Sequence, residues 1–80
     1  MTIGEAVKIR IMDLCQQRSL NINQLSLMCG ITQSTLNNIV NGRNRSTTVS
    51  TIQKICDGLG INIQEFFASD IFLSIEQEVR

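Results

Sequence analysis

Residues 29–46 read CGITQSTLNNIVNGRNRS, with two arginines, no acid and a crowd of side chains ending in an amide or hydroxyl. Leu36, Ile39 and Val40 recur as the inner face of a helix, which leaves Gln33, Ser34, Asn37, Asn38 and Asn41 facing outward. An ordinary surface helix would fill that face with Glu and Lys. Amides and hydroxyls instead offer paired donors and acceptors, which is what reading base edges in a major groove requires. Gln and Asn pair bidentately with adenine N6 and N7. The absence of carboxylates avoids repulsion from phosphate. Arg43 and Arg45 follow in the polar stretch GRNRSTT, where guanidinium groups could hold the backbone of a duplex while the helix reads its sequence.

Other chemistries find little support. The chain has no His, and its three cysteines, Cys15, Cys29 and Cys56, are an odd set without C-x-x-C spacing. Each falls where a helical apolar stripe needs a small hydrophobe, so the expectation is buried thiols, no metal site and no cofactor. The seven acids avoid the polar cluster, so no general base or nucleophile pair suggests itself and an enzyme is not expected.

The elements that must position these groups can be read from their caps. Thr2 and Glu5 form a capping box, and Val7, Ile11, Leu14, Cys15 and Arg18 share one face of a helix over about 3–18. Asn21, with Gln24 three residues on, opens a second helix carrying Leu25, small Ser26, Met28 and Cys29, and Gly30 stops it after two turns. Thr32 caps a third, with Ile31 stapled to Leu36, and Gly42 ends it. Thr48 caps a fourth, whose expected inner face is Val49, Ile52, Ile55, Cys56 and Leu59, closed by Gly60. Asn62 and Glu65 start a short fifth that ends near Ala68, with Ile61 stapled to Phe66. Connections of two to six residues would pack neighbouring helices directly. The chain therefore reads as all-α and a single domain.

Net charge is zero, but it is divided along the chain. Residues 14–56 hold Arg18, Arg43, Arg45 and Lys54 and no acid, whereas residues 57–80 hold five acids against Arg80. A cationic middle and an acidic tail follow. No apolar run approaches ~20 residues, so no membrane span is expected. The N-terminal residues lack a secretory apolar core, which points to the cytoplasm.

Two short helices locked by caps and staples have the geometry of a helix-turn-helix. The run NINQLSLMCGITQSTLNNIVNG resembles that of the phage-repressor family, the Cro/cI-type or Xre regulators, through Leu25, Ser26, Gly30, Ile31, Ser34, Thr35, Leu36, Ile39, Asn41 and Gly42. VSTIQKICDGLGINIQEFF resembles the family's last two helices. The resemblance covers residues 7–68. It implies a compact five-helix, lambda-repressor-like DNA-binding domain over 1–68, followed by a short tail, 69–80. It also implies base contacts from Gln33, Ser34, Asn37 and Asn38, and phosphate contacts from Thr35, Asn41, Arg43 and Arg45. Two positions depart from the family. Ile22 replaces a Gln that often contacts phosphate, and Cys15 with Val40 replaces an Arg–Glu pair, an exchange that need not cost stability.

The tail, SDIFLSIEQEVR, is too apolar to stay in water. Ile71, Ile75 and Val79 share a helical face, while IFLSI also suits a strand, and so short a run leaves both open. It either packs on its own core or joins two copies. Proteins of this kind typically bind two half-sites as dimers, so the expected partners are double-stranded DNA and a second copy of the chain. The expected function is a sequence-specific transcriptional regulator, a repressor occupying an operator. An antitoxin or other protein-interaction partner is the alternative.

Overall fold

The computed structural model describes residues 1–41 and 47–77. Among these residues the fold is all-α. Five α-helices run α1 Ile3–Gln17, α2 Ile22–Cys29, α3 Gln33–Val40, α4 Val49–Leu59 and α5 Ile63–Phe67, followed by a 3-10 segment over Asp70–Ser74.

Each α-helix begins on a side-chain cap that satisfies a backbone N–H left without a partner in the first turn. Thr2 with Glu5, Asn21 with Gln24 and Asn62 with Glu65 close reciprocal capping boxes on α1, α2 and α5. Thr32 and Thr48 cap α3 and α4 by accepting from the N–H groups of Thr35 and Thr51, both at 3.1 Å. Helices α2 and α4 end on Gly30 and Gly60, at φ 66° and 71°, the left-handed conformation that an L side chain resists. The expected glycine stop of α3, Gly42, lies outside the described residues.

The core draws on every helix. Val7, Ile11, Leu14 and Cys15 of α1, Leu25 and Cys29 of α2, and Leu36 and Ile39 of α3 are buried in one cluster. Ile52, Ile55, Cys56 and Leu59 of α4 and Phe66 of α5 complete it. Ile31 and Ile61, the residues expected to staple α3 and α5, pack against it half-buried. Val40 does the same, so the apolar Cys15 and Val40 both serve the core.

Two expectations need correction. Val49, placed on the inner face of α4, is 74% exposed. It is the first residue after the Thr48 cap and precedes the turn that reaches the core. The connection between α3 and α4 includes residues 42–46, which lie outside the described residues. The described part of the tail is neither an α-helix nor a strand: Asp70–Ser74 forms a 3-10 turn and Ile75 is extended.

That tail packs on its own chain. The 3-10 segment lies against α1, and Phe72 packs at the edge of the core. Its ring stands 4.8 Å from Phe67 and 6.4 Å from Phe66 between centroids. The Glu76 N–H donates to the Met1 carbonyl at 2.8 Å, and the Met1 ammonium lies 3.4 Å from the Glu76 carboxylate.

Candidate nucleic-acid interface

The site is built on α3, and α2 holds α3 in place. Helix α2 packs against both α3 and α4. Its C-terminal turn comes so close to α4 that a Cβ on Gly58 would fall 2.5 Å from Cys29 Sγ and 2.9 Å from the Met28 carbonyl oxygen. Such backbone approach is possible only because Gly58 has no side chain. Ser26, also buried, turns its hydroxyl back to the Asn23 carbonyl at 2.8 Å. A small residue there costs no unpaired donor.

On α3, Leu36 and Ile39 are buried and fix the rotation of the helix. With 3.6 residues per turn, the ridge farthest from them is Ser34, Asn38 and Asn41. Gln33 and Asn37 form one flank, one above the other, and Thr35 lies on the opposite flank. Gln33, Ser34, Thr35 and Asn38 are exposed, Asn37 is half-buried, and Asn41 follows the helix in the open. The structure thus brings five of the expected contacts, and Asn41 after them, onto the solvent side of one short helix. Arg43 and Arg45 lie outside the described residues.

The cap of α3 leaves one further group available. Thr32 Oγ1 accepts from the Thr35 N–H and donates to Thr35 Oγ1 at 2.8 Å. A hydroxyl that accepts from Thr32 keeps its own proton free to donate, which suits a phosphate oxygen beside it.

The helix termini separate by charge. Glu5 and Glu65 stand in the first turns of α1 and α5, whereas the first turns of α2, α3 and α4 hold no acid. Their positive dipole ends are therefore not offset by a neighbouring carboxylate, as an anionic partner would need. Thr48 and Thr51 repeat on α4 the uncharged cap of α3, with hydroxyls 2.9 Å apart. Glu5 is different: backbone and side-chain hydrogen bonds from Thr2 hold its carboxyl below the usual carboxylate range.

Two arginines, Arg10 and Arg18, are used as caps. Arg18 donates to the Leu59 carbonyl at the end of α4. Arg10 donates through Nε to Phe66 O at 2.6 Å and through a terminal nitrogen to Glu65 O at 2.8 Å, closing α5. Cations suit these helix ends, where carbonyls lack partners. The signal for Arg18 was present in the sequence: it continues the apolar stripe of α1 and so must point toward another element. The cationic reading of the middle of the chain accordingly rests less on Arg18 than composition suggested.

The three thiols are buried. Burial pushes all three above their ordinary pKa, and for Cys29 the neighbouring Cys15 and Cys56 add to the effect. Protonated and enclosed, they are poor nucleophiles. Among the described residues no cluster of three or more His, Cys, Asp or Glu side chains could hold a metal ion, and no helix is long and apolar enough to cross a membrane.

A family model described as helix-turn-helix matches residues 11–66. The crystal structure of the prophage Lp1 protein 11 superposes with a TM-score of 0.78 at 39% identity, over 86% of this chain and 91% of that one. The crystal structure of an HTH_3 family transcriptional regulator from Vibrio cholerae superposes with a TM-score of 0.77 at 27% identity, over 88% of this chain. The match covers 39% of that longer regulator. No curated protein matches the sequence. The family match spans α2, α3 and α4 whole, with the second half of α1 before them and most of α5 after. The chain belongs to the Cro/cI-type, or Xre, family of DNA-binding helix-turn-helix domains.

Proposed function

We propose that this protein is a sequence-specific transcriptional regulator, a repressor that occupies its operator by laying α3 in the major groove. The observation that carries the proposal is the outward face of α3, with amides and hydroxyls from Gln33 to Asn41 and no charge. Gln33, Ser34, Asn37 and Asn38 contact base edges. Thr35, Asn41, Arg43 and Arg45 hold phosphates, joined by the acid-free N-termini of α2 and α3. The prophage protein and the Vibrio cholerae regulator, by their likeness in fold and sequence, support a regulatory role. The protein acts in the cytoplasm, and catalysis has no part in the reading.

It binds as a homodimer on paired half-sites. Leu73 is 84% exposed and follows Phe72, whose ring meets that of Phe67, and this apolar segment is where the second copy docks. The antitoxin alternative needs a tail that waits for a partner to order it. The packing of Phe72 and the bond from Glu76 to Met1 favour the regulator.

Selection of bound duplexes from a random pool by the intact protein tests the proposal. Enrichment of a two-fold related pair of half-sites is the expected result. Binding that is equal for selected and random duplexes overturns it.

A further inference from the structure

The face of α3 that would meet DNA has a composition that narrows what it can read. Its eight residues, Gln33–Val40, carry three amides and two hydroxyls and not one Lys or Arg. A guanine is most often recognised by Arg or Lys reaching O6 and N7, and α3 has neither. An adenine is recognised by Gln or Asn, which donate to N7 and accept from N6 in one plane.

The amides on α3 are also placed differently from others in the chain. The side-chain amides of Asn21, Gln24 and Asn62 are committed to helix caps by hydrogen bonds of 2.8–2.9 Å. Gln33, Asn37 and Asn38 sit within α3, where the cap is made by Thr32 and Thr35. Gln33 and Asn37, one turn apart, are separated by about 6 Å along the helix. A base-pair step is about 3.4 Å, so the two amides address base pairs one or two steps apart. Asn38 stands on the adjoining ridge and reaches a third.

We infer that α3 is an adenine reader and that the half-site contacted by Gln33, Asn37 and Asn38 is a short A·T-rich element recognised through adenine N7 and N6 in the major groove. This inference rests on the DNA-binding reading above and deepens it. Adenine-rich tracts can also be chosen for a narrow minor groove rather than for their base edges. The two causes are chemically separable, because 7-deazaadenine removes N7 and leaves pairing and the minor-groove edge intact.

The test uses the intact protein and its selected duplex, with 7-deazaadenine placed at one selected adenine at a time. Affinity should fall roughly five- to 150-fold at each adenine read by an amide. A second measurement repeats the selection with Gln33→Arg, an exposed substitution that should leave the fold intact as judged by circular dichroism. One A·T position should become G·C, with the rest of the motif unchanged. A selected half-site without adenine, or one indifferent to 7-deazaadenine throughout, overturns the inference while leaving DNA binding in place. Failure of the protein to prefer any duplex overturns both.

Discussion

Ser19 shows what a single residue contributes at the end of α1. It holds φ at 56° although it carries a side chain, and the Leu20 N–H closes back to the Cys15 carbonyl at 2.9 Å. The left-handed conformation is costly for an L residue and nearly free for glycine. Ser19→Gly should therefore raise stability by up to about 1 kcal/mol, measured by urea unfolding at unchanged slope; a loss would mean the serine makes a compensating contact. Glu5 gives a pH-dependent counterpart. Hydrogen bonds from Thr2 lower its pKa in the folded state, so its contribution is full above the ordinary carboxylate pKa and fades as pH falls through the lowered native value. The stability gap between the wild type and Glu5→Ala should be present at neutral pH and close in strong acid. A gap that widened in acid would contradict the assignment. At the interface, Gln33→Ala should cost about 1–3 kcal/mol on the selected site and relax preference at one position. Equal losses on selected and random DNA would instead make Gln33 a positioning residue.

At the scale of elements, two-turn helices such as α2 and α3 are marginal alone and depend on their caps and neighbours. Thr32→Ala should cost about 1 kcal/mol and weaken DNA binding too, since Thr35 loses the partner that orients its hydroxyl. Gly58→Ala is the harsher test of the angle between α2 and α4. Its Cβ meets Cys29 and the backbone of Met28, so a loss of about 1–3 kcal/mol is expected. A melting temperature equal to that of the wild type would show that the two helices can part without cost. Much of this architecture could be read from Thr2, Asn21, Thr32, Thr48 and Asn62, because caps act locally and leave a signature three residues long. Gly58 could not be read in the same way, since its role depends on a second helix 29 positions away at Cys29. Val49 was misplaced because apolar spacing does not reveal which helical residues precede the first turn that reaches the core. The run IFLSI suits both helix and strand, and the 3-10 turn that forms sets Phe72 against Phe66 and Phe67, a tertiary contact that periodicity does not record.

For the whole molecule, the arrangement is a helix-turn-helix held between α1 and α4, with Met1 joined to Glu76 of the tail. The outward, uncharged face of α3 could be read from the sequence because its polarity is unusual for an exposed helix. The particular carbonyls that Arg10 and Arg18 meet could not be, because neither net charge nor helical spacing says which carbonyl a guanidinium reaches. In the proposed homodimer, Leu73 separates intrachain packing from assembly, since it is exposed while Phe72 before it packs on the core. Leu73→Ser should leave thermal stability nearly unchanged and shift sedimentation toward monomer, with paired half-sites losing more affinity than a single one. A variant that still sediments as a dimer would move the contact elsewhere. The central claim, that α3 reads DNA through its amides, is tested most directly by nuclear magnetic resonance on the labelled protein titrated with its selected duplex. The side-chain NH2 signals of Gln33, Asn37 and Asn38 should shift strongly while those of Asn62 and Gln64 on α5 stay in place. Large shifts confined to α5 and the tail, with the α3 amides unmoved, would contradict it.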